Sequence, residues 1–383
     1  MAYNSFYSDV SLGDDKDDFD SGYDDYSSVG SDDEVSVQGA GGQIMSSIKG
    51  VFTGIICFFV SFVVLYCGAT KTELAKVFKN ARPVAGAQDG SMAFVTGVPE
   101  VTAIGDEGYL ESGNYIRIEK RKEYYAVVST KRSETRKEGT KKITTSHYEY
   151  SLEWTTNPQP IQGKEKSRWR EFASSHNIPR YTSNPVASGE TTTTINTQSA
   201  KVNGYSIPVA EVQFKGGGKN LEPKYLTGSA EDPQIGDTRL AYTVYPADTK
   251  YTFAGDKSGQ SITSTMVDDS PMLVASAGEF KNLMSALRSG DRFWWWAFLI
   301  IGFLLMSAGL NMMVGPLTTL LDFIPFIGQF GAGMIRFVLT VAAAIISLVF
   351  YLAIYYWWVV LILIVAIFAF VMYKKKGAQP QAA

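Results

Sequence analysis

Two apolar blocks, residues 51–69 and 293–373, bracket a long polar stretch, and this bracketing limits the fold more than any other feature of the chain. A hydrocarbon core about 30 Å thick takes ~20 apolar residues per helix. The first block therefore reads as one span, and the second has room for three. The expected fold is a multi-pass α-helical membrane protein of four spans with a large β-rich soluble domain inserted after the first span. Four spans put both termini on one side of the bilayer.

Charge is as segregated as hydropathy. Residues 1–34 hold ten Asp, Glu34 and a single Lys16, a net of −10 in a chain whose total is −3. Such a segment buries too little apolar surface to order itself, so residues 1–44 read as a disordered acidic tail. It is either a partner-binding or phosphorylated tail, around Tyr23, Tyr26, Ser27 and Ser28, or a purely solvating one. No cleavable leader is expected, because acidic rather than basic residues precede the first hydrophobic run. Cys57 and Cys67 both fall inside that run, which leaves the polar region without cysteine and excludes a disulfide-stapled module. No Asn-x-Ser/Thr sequon occurs.

Along the chain, residues 45–70 form the first span, with Gly50 and Gly54 making a GxxxG step that allows close helix approach. Residues 71–83 read as a short juxtamembrane helix carrying Lys71, Lys76, Lys79 and Arg82 among lipid headgroups, ended by Pro83. From 84 to 280 the pattern turns to period two. Tyr148, Tyr150, Leu152 and Trp154 alternate with His147, Glu149, Ser151 and Glu153. Leu240, Tyr242 and Val244 do the same, and residues 124–129 and 191–194 are further extended runs. Ile207 to Phe214 reads as one more strand. Helices are expected at 166–175 and 277–288. Sandwich and barrel both remain open.

The C-terminal block divides into a lead-in helix and second span (281–314), an interfacial or re-entrant segment (315–334) and the third and fourth spans (335–373), before a basic tail (374–383). Trp294, Trp295 and Trp296 open the second span at the interface, where indoles prefer to lie. Asp322, Pro325 and Gly328 interrupt the segment after it. Asp322 and Arg336 are the ionisable groups placed at a cost here: they snorkel to water from the segment ends, or they pair and stabilise the re-entrant turn. Seven Lys and Arg flank the spans on the domain side and four on the terminal side, so the positive-inside rule places the domain in the cytosol.

Catalytic chemistry is nearly absent from the pattern. Two histidines, His147 and His176, and no thiol outside the span leave neither a zinc site nor a nucleophile with its base. No catalytic residue, cofactor or metal ligand is assigned. The Gly216-Gly217-Gly218-Lys219 run lacks phosphate-loop spacing and reads as a hairpin tip. Glu149 and Glu153 share a strand face, as paired carboxylates in a glycosidase do, but solvated alternation gives the same spacing. Lys131, Arg132, Arg136, Lys137, Lys141 and Lys142, interleaved with Glu134 and Glu138, read as a mobile charged hairpin, and no nucleic-acid partner is expected.

Several stretches resemble the LUMA family, transmembrane protein 43. They are Tyr148-Glu149-Tyr150-Ser151-Leu152-Glu153-Trp154, the run Gln234-Ile235-Gly236-Asp237-Thr238-Arg239-Leu240, which is similar to the family's P-x-x-G-D-x-R segment, Gly309-Leu310-Asn311-Met312-Met313, and Leu321-Asp322-Phe323-Ile324-Pro325. The resemblance covers nearly all of 51–373. It implies a non-enzymatic, self-associating protein of the endoplasmic reticulum and inner nuclear membrane, or of the inner membrane in a bacterium. It further implies a domain in the lumen or periplasm, against the charge rule, and partners among nuclear-envelope proteins such as lamins and emerin. The acidic N-terminal tail departs from the family's short, more basic one. The expected role is a membrane scaffold that organises copies of itself and other membrane proteins. The alternative is a lipid-handling or transport protein that uses the broken segment 317–333.

Overall fold

The computed structural model describes residues 34–38, 40–138, 141–316, 328–359, 361–362, 365–366 and 368. Among the described residues the α-helices include α1 (Ala40–Thr70), α2 (Leu74–Phe78), α3 (Ser167–Ser175), α4 (Phe280–Met313) and α5 (Gly328–Tyr355). Three of them, α1, α4 and α5, are long and apolar enough to cross a membrane. α5 ends at Tyr355, and Tyr356 is a turn, inside the aromatic cluster Tyr351, Tyr355, Tyr356, Trp357 and Trp358. The expected fourth span lies largely outside the described residues, as do Asp322, Pro325 and the interrupted segment around them.

The β module is built from β1 (Glu34–Gln38), β2 (Met92–Gly97), β3 (Tyr115–Glu138), β4 (Lys141–Thr155), β5 (Thr192–Asn196), β6 (Val212–Phe214), β7 (Lys219–Asn220), β8 (Thr238–Pro246), β9 (Tyr251–Ser258) and β10 (Ser270–Ala277), with shorter strands between. Among the described residues they make a seven-stranded sheet, a ten-stranded sheet and a two-stranded ribbon. In the first sheet β3 is the spine. Its opening half pairs with β8 on one side and β5 on the other, and its second half pairs with β4 from Tyr124↔Thr155 to Glu138↔Lys141. In the second sheet β9 lies between β2 and β10.

The two sheets share one core. Ile116 and Tyr245 of the first meet Val95, Phe253, Ile262 and Leu273 of the second. β9 is covered on both faces. Tyr251 and Phe253 point into that shared core, whereas Ala254 on the opposite face meets Ala75 and Phe78 of α2 and Leu283, Met284 and Leu287 of α4. The 4-3 spacing of Leu283, Leu287 and Met284 makes one apolar stripe, and below Arg292 the same helix becomes apolar all round. α4 is thus a single 34-residue rod, about 51 Å long at 1.5 Å per residue, rooted in the module and continuing into the helical bundle. There Leu299 and Met306 pack with Leu65 of α1 and Ala343 and Tyr351 of α5.

Several sequence expectations are corrected. Pro208 has no amide hydrogen to give a ladder, so Ile207 to Phe214 is not one strand: a 3-10 turn at Val209–Glu211 separates Tyr205–Ile207 from β6. Gly216 to Gly218 is no hairpin tip. It carries the chain from β6, in the ten-stranded sheet, to β7, in the other. Gly217 has φ +97° and sits so close to Tyr251 that a Cβ would stand 2.7 Å from its ring. The juxtamembrane helix shrinks to the five residues of α2, because Arg82–Pro83 join the ten-stranded sheet beside β2.

Part of the 1–44 segment is ordered. β1 pairs antiparallel with β4, Glu34↔Ser146 to Gln38↔Lys142, and Lys131 holds Glu34 at 2.7 Å. Only Gly39 separates β1 from α1, so β1 sits at the end of α1 remote from α2 and the module. The distances agree. α1 is about 46 Å long, and the β3–β4 ribbon runs about 46 Å from Tyr124 to its tip at 3.3 Å per residue. A bilayer around α1 would place Lys131, Arg132, Glu134 and Arg136 at hydrocarbon depth, at ~2.5–3.5 kcal/mol for each basic residue at the centre. Insertion of α1 is therefore expected to compete with pairing of β1 and β4.

Candidate functional site: the collar between module and membrane helices

The end of α1, the turn before α2, the middle of α4 and the end of α5 converge in a polar collar. Asp291 of α4 is its centre. One carboxylate oxygen accepts the Leu74 amide at 3.1 Å and the other the Ala75 amide at 2.8 Å. The side chain of Glu73, the local N-cap, caps nothing, so α2 takes its anionic cap from across the fold. Glu73 is occupied elsewhere: it accepts the Tyr355 hydroxyl and pairs with Lys76 at 2.7 Å. Thr72 donates to Asp268 of the module at 2.7 Å.

An aromatic layer lies beneath. Lys71 stands 4.6 Å over the Trp294 ring, Trp295 meets Tyr351 edge-on at 5.1 Å, and the Tyr351 hydroxyl donates to the Trp295 carbonyl. Trp294 and Trp296 are exposed, as interfacial indoles would be. Above this layer opens a hollow of about 310 Å³, lined among others by Arg288, Arg292, Trp295 and Tyr356.

The remaining sequence candidates fall as follows. Gly50 has open space where a Cβ would point. Gly54 does not: a Cβ there would stand 2.8 Å from the Gly309 carbonyl oxygen and 2.9 Å from Met312. The GxxxG step thus presents one glycine to α4 of the same chain. Arg336 is exposed on α5 and makes no ion pair among the described residues. His147 and Glu149 are 3.9 Å apart, and Glu149 also pairs with Arg132.

The structure brings two of the family-like stretches together. Arg239 is held by Glu123 at 2.7 Å and lies 4.4 Å over Trp154, which also packs against Tyr125 and Tyr225. Asp237 ties the turn before β8 by accepting the Gln234 amide at 2.7 Å. Inside the module, buried Arg117 donates to Asn196 and to the Val209 carbonyl, and burial pushes its guanidinium pKa down. These are locks on the sheets rather than a reactive centre.

Sequence reasoning missed Asp291, Glu73 and Tyr355 as a set. The one local signal was Arg288, Asp291 and Arg292 clustered immediately ahead of three tryptophans, which reads as a plain interfacial anchor.

Apolar helices, a docked β module and an interfacial collar define the chain as an integral membrane protein with a β-rich module between its first two membrane helices. The family model of transmembrane protein 43 matches residues 124–362, more than half of the chain, and the chain belongs to that family. No curated protein and no solved structure matches it significantly.

Proposed function

We propose that this chain is a non-enzymatic membrane scaffold. Four spans, the last following the turn at Tyr356, hold the β module at constant height over the bilayer. The module surface and span interfaces gather copies of the chain and other membrane proteins. The observation that carries this reading is the continuity of α4: Leu283 and Leu287 belong to the module's packing and Leu299 and Met306 to the bundle's. A load on the module is thereby transmitted to the helices without a flexible joint. Family membership supports location in the endoplasmic reticulum and inner nuclear membrane of a eukaryotic cell, or in the inner membrane of a bacterium. It also supports a lumenal or periplasmic module and lamin- or emerin-like partners.

Asp322 and Arg336 set the packing of the segment between α4 and α5 and, through it, self-association. Chemical cross-linking of the wild type and of Asp322→Asn and Arg336→Gln in native membranes tests this. Altered oligomer ladders are expected in both, and unchanged ladders count against it. Protease protection of the tagged module in sealed membranes tests the sidedness. The alternative, lipid handling, is favoured by one feature, the hollow in the collar, and predicts lipid flux in reconstituted liposomes.

A further inference from the structure

We propose that the collar hollow is a binding site for the phosphate-bearing headgroup of an anionic phospholipid, held by Arg288 and Arg292. The inference depends on the membrane placement of α1, α4 and α5 and not on the scaffold reading.

Spacing comes first. Arg288, Arg292 and Trp295 lie at i, i+4 and i+7 on α4, one face of the helix. At 1.5 Å per residue Arg292 stands about 4.5 Å and Arg288 about 10 Å along the axis from Trp295. Indoles settle at headgroup level, so both guanidinium groups fall at the height of lipid phosphates.

Charge comes second. The hollow is lined by two cations and two carboxylates, but the carboxylates are already used. Asp291 caps α2 with both oxygens, and Glu73 takes Lys76 and the Tyr355 hydroxyl. Neither arginine has an ion-pair partner among the described residues. The internal bonds leave the hollow with two uncommitted guanidinium groups, the planar fork that suits phosphate oxygens.

Size and shape come third. The volume, about 310 Å³, is at the lower end of the ~300–1,000 Å³ of ligand pockets. Trp295 and Tyr356 supply an apolar wall on the side from which acyl chains would descend. A free phosphoester shares the headgroup chemistry but gains nothing from that wall or from residing in the bilayer, and the inference commits to the lipid.

The test is native mass spectrometry of the full chain in detergent, titrated with phosphatidylserine and, separately, phosphatidylcholine. Wild type should prefer phosphatidylserine. Arg288→Gln/Arg292→Gln should lose about 30-fold in phosphatidylserine affinity, the product of two interfacial cation contacts, while phosphatidylcholine, whose choline already offsets its phosphate charge, loses less. Arg288→Lys/Arg292→Lys, which keeps the charge and the fold, should retain most of the preference and guards against a folding defect in the first variant. Lys201→Gln, an exposed charge remote from the collar, should behave as wild type. Equal binding of the two lipids by wild type would overturn the proposal, as would an unaltered preference in the glutamine variant. Displacement of the lipid by an equimolar amount of soluble glycerophosphoserine would overturn the lipid assignment in favour of a free phosphoester.

Discussion

Gly309→Ala adds one methyl group where α4 touches α1 backbone to backbone. Its carbon would stand 2.8 Å from the Gly54 carbonyl oxygen, 2.8 Å from the Phe58 amide nitrogen and 3.1 Å from the Phe58 Cα. None of these atoms is the yielding end of a side chain. To restore ordinary contact near 3.5 Å the two helices must part by roughly 0.7 Å. Overpacking of this kind costs about 1–3 kcal/mol, while alanine returns about 1 kcal/mol of helix propensity over glycine. The expected net loss is about 1 kcal/mol, rising to about 3 kcal/mol for Gly309→Leu.

Gly54→Ala meets the same wall from the other side, so the double variant should lose less than the sum of the singles, the helices having already parted. Gly50→Ala has nothing within 4 Å and should be neutral or gain up to about 1 kcal/mol. Reversible unfolding of the purified chain in detergent, followed by tryptophan fluorescence, reads all five variants. Opposite signs at Gly50 and Gly309 are the prediction. Equal destabilisation at Gly50 and Gly54 would refute the reasoning and mark this face as a contact between chains instead.

Arg239→Lys keeps the charge but loses the fork on Glu123 and the stacking over Trp154, and should cost the module about 1–2 kcal/mol in denaturant unfolding. A loss no larger than that of an exposed Lys201→Gln control would remove Arg239 as a lock. A Ser36→Cys/Thr144→Cys pair, in a background lacking Cys57 and Cys67, places thiols at partnered positions of β1 and β4. The disulfide should form in chains synthesised without membranes and be absent from chains inserted in microsomes. Formation in both would refute the competition between the two states. Where β1 is paired, the Lys131 ammonium holds the Glu34 carboxyl below its ordinary value of 4.5. That contribution is complete above 4.5 and is lost as pH falls through the lowered value. The pair is well exposed, so acidification should weaken cross-linking by no more than about 0.5 kcal/mol.

What the sequence disclosed was local. Alternation from His147 to Trp154 predicted half of the β3–β4 ladder, and the sheet has that strand. The helix expected at 166–175 is α3, with Trp169 and Ala173 packed on Val127. The three tryptophans marked where α4 meets the interface. What stayed hidden depends on partners far along the chain. The cap of α2 comes from a residue 217 positions away, and no window that holds Glu73 holds Asp291. Gly217 looked like a turn because glycine runs usually are. Its actual constraint, the Tyr251 ring pressed against it, belongs to a strand of the other sheet. Gly309 stood in a family-like run whose physical reason, the approach of Gly54, is equally non-local. Pro208 was the readable exception: its missing amide argued against a continuous strand, and the alternation around it outweighed that signal.

The strand at Glu34–Gln38 has a consequence for how the chain is made. A ribosome delivers α1 first, and β4 begins only at Lys141, so at about 5–20 residues per second some seconds pass before that edge exists. A translocon that takes α1 in this interval leaves residues 34–38 and the later β4 on opposite faces of the membrane for good. The strand addition is then a mark of chains that missed their insertion, and an antibody specific for it would count failures of delivery.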